Sequence, residues 1–203
     1  EWGVPVARLP DDTGRGPVGM LEAVGEDIDV LWTVATNPAA GMPEAEPVME
    51  ALESSFVIAQ DAFRTETTEL ADVVLPAATW GESEGTAINM ERTVSRVRAA
   101  TEAPSGVRSD LEIIARLGHR LFPDLVDTAR PDPAVVFEEF AALTAGTPAD
   151  CSGISYERLE ADLAVRWPAP DGDSAGGYRY YEATDPGDST TTERAASDGG
   201  AAW

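Results

Sequence analysis

The sequence predicts an α/β fold: a parallel sheet in the first half of the chain and a helical C-terminal part. Three observations carry that expectation. Apolar runs rich in β-branched residues lie at residues 28–35, 56–60 and 72–75. The first is almost continuous, the pattern of a strand buried on both faces, as parallel sheets require. Between the first two runs stands a segment with helical start signals, so strand, helix and strand make a βαβ unit with a right-handed crossover.

The elements follow in order. Residues 17–24 read as a helix feeding the first strand, residues 28–35. Asn37-Pro38 ends that strand, because the residue before proline is pushed out of helical space. Residues 43–52 carry proline and acids in a first helical turn, where a missing N–H is harmless and negative charge meets the helix dipole. Residues 56–60 give the second strand. Thr65 can cap a short crossover helix through Glu69, its hydroxyl accepting an orphan backbone N–H. Residues 72–75 give the third strand, stopped by Pro76, so residues 28–76 are expected as three parallel strands with helices between them. From Gly85 to Arg98 the chain reads as irregular or short strand, and Pro104-Ser-Gly106 breaks it. Ser109-Asp-Leu-Glu112 has the form of a capping box, serine accepting from the glutamate N–H and glutamate reaching back. It opens a helix to Leu121 with Leu111, Ile114, Ala115 and Leu117 on one face. Residues 132–143 and 156–165 read as two more helices. Beyond Pro168 the composition turns to Gly, Asp, Ser and Thr. Residues 1–168 are therefore expected as one folded domain and 169–203 as a poorly ordered tail. No internal repeat is visible.

Composition narrows the partners. The 203 residues carry 37 acids against 14 basic residues, a net charge of −23, and every basic residue is arginine. Such a charge repels nucleic acid and anionic lipid, so neither is expected as a partner. No apolar run approaches the roughly 18 residues of a membrane span. No signal peptide is visible, and the expected location is the cytoplasm. Dispersed acids without lysine suit a high-salt cytoplasm, where screening shortens self-repulsion, and the chain reads as halophilic. It begins with Glu1, which reads as a fragment or a processed product. Cys151 is the only cysteine. It can hold neither an internal disulfide nor an iron–sulfur cluster, which takes about four cysteines. It reads as a small buried hydrophobe. With the single His119 it makes no structural zinc site, and no metal site is expected. His119 is placed to meet the carbonyls of a last helical turn.

In an open parallel sheet, ligands bind beyond the carboxyl ends of the strands. That rule selects Thr36-Asn37, Gln60-Asp61 and the loop from Pro76 to Gly85. Asp61 suits guanine, because one carboxylate can accept from both the ring N–H and the exocyclic amino group, a pairing adenine does not offer. Asn37 can donate and accept toward a ribose or phosphate. Each has a local alternative: Asn37 can shape the turn before Pro38, and Asp61 can cap a turn.

Six short motifs stand in sequence: Ala-Thr-Asn-Pro at 35–38, Gln-Asp-Ala-Phe-Arg-Thr-Glu-Thr at 60–67, Ala-Asp-Val-Val-Leu-Pro at 71–76, Trp-Gly-Glu-Ser-Glu-Gly at 80–85, Asn-Met-Glu-Arg at 89–92 and Arg-Ser-Asp-Leu at 108–111. Together, over residues 28–121, they resemble the molybdopterin oxidoreductase superfamily. The resemblance implies a dinucleotide-binding-like third domain of a larger subunit, holding the nucleotide end of one molecule of a bis-molybdopterin guanine dinucleotide cofactor. By that resemblance Asn37, Asp61 and Asp110 are cofactor contacts, with Gln60 beside them. Asp110 also suits a first helical turn for dipole reasons alone. Ser83 stands where periplasmic-type relatives tend to have lysine, leaving at most a hydroxyl or backbone contact. The stretch from Cys151 to Leu159, with Arg166-Trp-Pro168 behind it, is similar to the assimilatory nitrate reductase branch.

The resemblance thus implies a nitrate-reducing molybdenum oxidoreductase, active as part of the full-length subunit. It also implies a 4Fe-4S cluster elsewhere in that subunit, the remainder of the subunit as partner, and an electron donor such as ferredoxin. No catalytic residue is assigned, because the family's metal ligand and cluster motif lie outside these residues. The alternatives are a formate dehydrogenase-like member and a free-standing, non-catalytic nucleotide-binding module.

Overall fold

The computed structural model describes residues 13–174 and residue 176. They fall into two compact units, one of residues 13–83 and 100–130, the other of residues 84–99 and 131–176.

The first unit is built on β1 (Val30–Val34), β2 (Phe56–Asp61) and β3 (Val73–Pro76), in that order and all parallel. This is the sheet expected for residues 28–76. The helices are α1 (Pro17–Glu22), α2 (Pro38–Gly41), α3 (Ala45–Ser54), α4 (Glu66–Leu70) and α5 (Asp110–Leu121). Helix α3 starts two residues later than the sequence suggested, because Glu44 turns left-handed at φ 60°. The short α2 was not foreseen; Pro38 occupies its first turn, where a proline is tolerated. The Thr65 cap forms as expected, Thr68 N donating to Thr65 Oγ1 at 3.2 Å and Thr65 N to Thr68 Oγ1 at 2.7 Å. Pro76 belongs to β3 and pairs opposite Asp61. Its missing N–H is tolerated because β3 is an edge strand.

Strand side chains alternate between the faces of a sheet. Val57 and Ala59 turn to one face and are buried at 0% and 1% exposure. There Val48 and Leu52 of α3 pack on Val57 together with Leu21, Leu31 and Met42. The other face corrects an expectation. β1 is not buried on both sides: Val30, Trp32 and Val34 are left 53%, 36% and 40% exposed. A continuous apolar run reports that burial is favoured, but not which segment supplies the cover.

Helix α5 shows three further departures. Ser109 accepts from Glu112 N at 3.2 Å, but Glu112 does not reach back. Its carboxylate instead lies 2.7 Å from Arg116 and 3.5 Å from both Arg108 and Arg130, and three guanidinium groups outcompete one backbone N–H. The buried residues are Ile113 and Ala115, while Ile114 is half exposed. His119 Nδ1 meets Val126 O at 2.7 Å, not a last-turn carbonyl, because the chain folds back against Gly118.

The second unit pairs β4 (Gly85–Ile88), β5 (Thr93–Val97) and β6 (Ala164–Arg166) in an antiparallel sheet with β5 in the middle. Helices α6 (Pro133–Leu143) and α7 (Tyr156–Asp162) complete it. The expected helix over residues 156–165 stops at Asp162, because Leu163 takes a positive φ of 64° and the chain continues as β6. Val94, Phe137, Leu159 and Val165 form the core with Cys151, which is 1% exposed. Burial pushes the Cys151 thiol up from its ordinary range. Of the expected tail, Ala169 is buried in this core, and residues 175 and 177–203 lie outside the described residues. Among the described residues no helix is long and apolar enough to cross a membrane.

Candidate functional site

The carboxyl end of the parallel sheet gathers most of the predicted site residues. Ala35 N donates to Gln60 O at 2.9 Å, so the ends of β1 and β2 lie side by side. Arg108 N donates to Pro76 O at 3.3 Å and Ala78 N to Arg108 O at 2.8 Å. These bonds hold the segment before α5 against the end of β3 and bring the first turn of α5 to the sheet.

Gln60 is 1% exposed. Its Nε2 donates to Asp110 Oδ1 at 2.6 Å. Its Oε1 is buried and has no donor among the described residues. Such an unpaired amide oxygen costs about 1–3 kcal/mol.

Asp61 ends β2 and is half-buried. Its Oδ1 accepts from Phe63 N at 2.9 Å, closing the local turn. Its Oδ2 has no protein donor among the described residues. Asp61, Phe63, Arg64, Thr68, Val74 and Pro76 line a cavity of about 650 Å³. Arg64 is paired to Glu69 at 3.1 Å, but at 86% exposure of its side chain that pair is weak.

Asn37 is largely committed within the protein. Its Oδ1 accepts from Thr67 Oγ1 at 2.7 Å and from Thr67 N at 3.3 Å. Its Nδ2 donates to Glu66 Oε2 at 2.7 Å. That bond, with the Glu66 backbone, holds the Glu66 carboxyl below its ordinary value. Thr67 is fully buried and also accepts from Ala39 N at 3.1 Å, so Asn37 and Thr67 tie α2 to α4. One Asn37 amide N–H remains. Ser83 follows a short 3₁₀ turn, Trp80–Glu82, and donates to Thr79 O at 3.1 Å.

The structure therefore brings Gln60, Asp61 and Asp110 to one end of the sheet and sets Asn37 at the end of the neighbouring strand. No described hydrogen bond joins Ser83 to the other four. Phe63, Arg64 and Thr67 were not singled out from the sequence as site residues. Their positions depend on the turn after β2, which no periodic pattern reports.

In open α/β sheets ligands bind outside the carboxyl ends of the strands, and this sheet carries polar groups there. Comparison with known proteins supplies the family. The molybdopterin oxidoreductase profile matches residues 4–120, and the chain belongs to that family. It is 63% identical over 181 residues to the assimilatory nitrate reductase of Haloferax mediterranei, covering 89% of this chain and 25% of that protein. It is 39% identical to the nitrate reductase of Synechocystis sp., covering 85% of this chain and 24% of that protein. It is 36% identical to the F420-dependent formate dehydrogenase subunit alpha of Methanocaldococcus jannaschii, covering 77% of this chain and 23% of that protein. The chain thus spans about a quarter of the length of these relatives. Among solved structures, acetylene hydratase from Pelobacter acetylenicus superposes with a TM-score of 0.59 at 19% identity, over 74% of this chain and 20% of that one, which shows a shared fold.

Proposed function

We propose that this chain is the part of a molybdenum oxidoreductase subunit that binds the guanine end of a molybdopterin guanine dinucleotide. The observation that carries the proposal is the Asp61 carboxylate, which lines the concavity at the sheet end and takes one described hydrogen bond, from Phe63 N to Oδ1. When bound, the cofactor supplies two-electron chemistry at molybdenum with transfer of an oxygen atom. The chain's own residues bind and orient. An ionised carboxylate offers about four lone-pair sites. Phe63 N uses one of those on Asp61, which leaves enough for the ring N–H and amino group of guanine. Asp110 accepts from Gln60 Nε2 and holds that amide beside the first turn of α5. Asn37 offers its remaining N–H. Ser83 is at most a peripheral contact.

For the whole enzyme the proposed reaction is reduction of nitrate to nitrite in the cytoplasm, with ferredoxin or a similar one-electron carrier as donor and a 4Fe-4S cluster elsewhere in the subunit. Support comes from the likeness to nitrate reductases of Haloferax mediterranei, Synechocystis sp. and Bacillus subtilis. The second reading is a formate dehydrogenase-like enzyme, favoured by the 36% identity to a formate dehydrogenase subunit. Likeness to enzymes named for different substrates fits a region whose task is the shared cofactor. Assaying the full-length gene product with nitrate and with formate separates the two.

The site itself is tested by calorimetry of the 203-residue chain with GDP and with ADP. GDP is expected to bind more tightly. Asp61→Ala should remove the preference, weakening GDP by about 10- to 150-fold, as loss of charged hydrogen bonds implies. Equal affinity for both nucleotides in the unsubstituted chain would sink the guanine assignment.

A further inference from the structure

We propose that Phe63 is the stacking platform for the nucleobase at this site, supplying affinity while Asp61 supplies the choice of base. The inference rests on the guanine-site reading above. Phe63 is 70% exposed, a large apolar ring left in water at the turn between β2 and α4. The turn does not need that ring. Its shape comes from the Phe63 backbone N–H on Asp61 Oδ1 at 2.9 Å and from the Thr65 cap on α4. Any residue with an N–H at this position would close the same turn.

The placement of the ring is specific. Phe63 lines the same cavity of about 650 Å³ as Asp61, with Val74 and Pro76 as further apolar walls. That size falls within the roughly 300–1,000 Å³ of small-molecule sites. Scattered exposed hydrophobes need no explanation, but this one stands two residues from the carboxylate in a shared concavity. A purine is a flat ring whose polar groups lie on its edge. A carboxylate that reads the edge leaves both faces in water unless a wall covers one. Aromatic stacking is tolerant of base identity, because every base has a π-face.

Electrostatics points the same way. The chain carries a net charge of −23, which opposes entry of any anionic nucleotide. Among the described residues Arg64 is the one cation lining this cavity, and it is paired with Glu69, which lines it too. Non-ionic contact must therefore supply much of the affinity, and Phe63 is the largest apolar side chain among the described residues lining the cavity.

The test uses the 203-residue chain, with GDP and ADP as probes, and four variants: Phe63→Ala, Phe63→Leu, Phe63→Tyr and Asp61→Ala. Phe63→Ala should weaken GDP and ADP by the same factor, about 5- to 150-fold by the usual size of base–aromatic stacking. The GDP-to-ADP ratio should not change. Phe63→Tyr should bind as the unsubstituted chain does, and Phe63→Leu should not. An unchanged melting temperature in each variant shows that the fold is intact. Undiminished binding by Phe63→Ala, or full binding by Phe63→Leu, overturns stacking even where the guanine preference persists. Loss of affinity on Phe63→Ala with no guanine preference leaves stacking standing and overturns the guanine reading. Absence of binding to both nucleotides in the unsubstituted chain overturns both.

Discussion

Two substitutions remove the same hydrogen bond, Gln60 Nε2 to Asp110 Oδ1 at 2.6 Å, and should have unequal effects. Consider first Gln60→Met, close to Gln60 in shape. It deletes a bond to an ionised acceptor, which contributes about 1.5–3 kcal/mol. It also deletes the unpaired Oε1, whose burial costs about 1–3 kcal/mol. The freed Asp110 is exposed and returns to water. The two effects nearly cancel, and stability should stay within about 2 kcal/mol of the unsubstituted chain. Now consider Asp110→Ala. The Gln60 amide stays buried, and Nε2 joins Oε1 without a partner, at about 1–3 kcal/mol. The first turn of α5 also loses a charge that favours the dipole, about 0.3–1 kcal/mol. The sum is about 1.3–4 kcal/mol, or a fall of about 3–16 °C in melting temperature for a chain of this size. Urea and thermal melts followed by tryptophan fluorescence decide the order. If Gln60→Met proves the more destabilising, the buried Oε1 is no net cost in this fold.

The remaining predictions concern charge. With −23 net charge and no lysine, the chain should gain melting temperature between 0.1 M and 2 M sodium chloride, most of it by about 1 M, where the Debye length is about 3 Å. A flat or falling series would refute the halophilic reading. The second concerns Asp150, which is 7% exposed. Burial raises its carboxyl, but the Ser152 hydroxyl at 2.6 Å, Gly146 N at 2.7 Å and Ser152 N at 2.9 Å outweigh it, so the net shift is downward. A folded value below the unfolded one stabilises fully above the ordinary carboxylate pKa of about 4, and that stability is lost as pH falls through the folded value. The stability gap between the unsubstituted chain and Asp150→Asn should therefore be widest near pH 7 and shrink below about pH 4. An equal gap at both ends would remove these hydrogen bonds as its source.

What could be read from the sequence was local or periodic. The three parallel strands were legible because long β-branched runs with helical spacers admit few other arrangements. The caps at Thr65 and Ser109 were legible because a hydroxyl meets an N–H three residues on. What could not be read was non-local. β6 is three residues long and exists only through its pairing with β5, Thr93 opposite Arg166. The buried face of α5 and the His119 contact with Val126 depend on how the chain returns after Leu121. Within the proposed site, the strand-end rule selected Asn37, Gln60 and Asp61 as candidates. The Gln60–Asp110 bond spans 50 positions, and no spacing announces it. The exposure of Phe63 is likewise invisible, since an aromatic after a strand reads equally as wall or core.

The local roles of these residues leave room for the proposed ligand role. Asn37 does shape its turn, and Asp61 does cap one. What matters for binding is the hydrogen-bonding capacity left over after those roles. In the concavity it lies with the Asp61 carboxylate, whose Oδ1 accepts from Phe63 N and which keeps further lone pairs. An acceptor-rich site favours a donor-rich edge. Guanine presents a ring N–H beside an amino group, and both can point at one carboxylate. Adenine presents an amino group beside a bare ring nitrogen, whose lone pair would face the carboxylate unpaired and repelled. Sites that leave a buried polar group unmatched reject the wrong ligand more strongly than apolar pockets do. The proposed preference for guanine rests on the acceptor capacity that Asp61 keeps after closing its turn, and Asp61→Asn is the sharpest probe of it. An amide in place of the carboxylate restores one donor, so it should narrow the gap between GDP and ADP by raising ADP affinity as well as lowering that of GDP. A variant that weakened both equally would mean that Asp61 acts through charge alone and reads no edge.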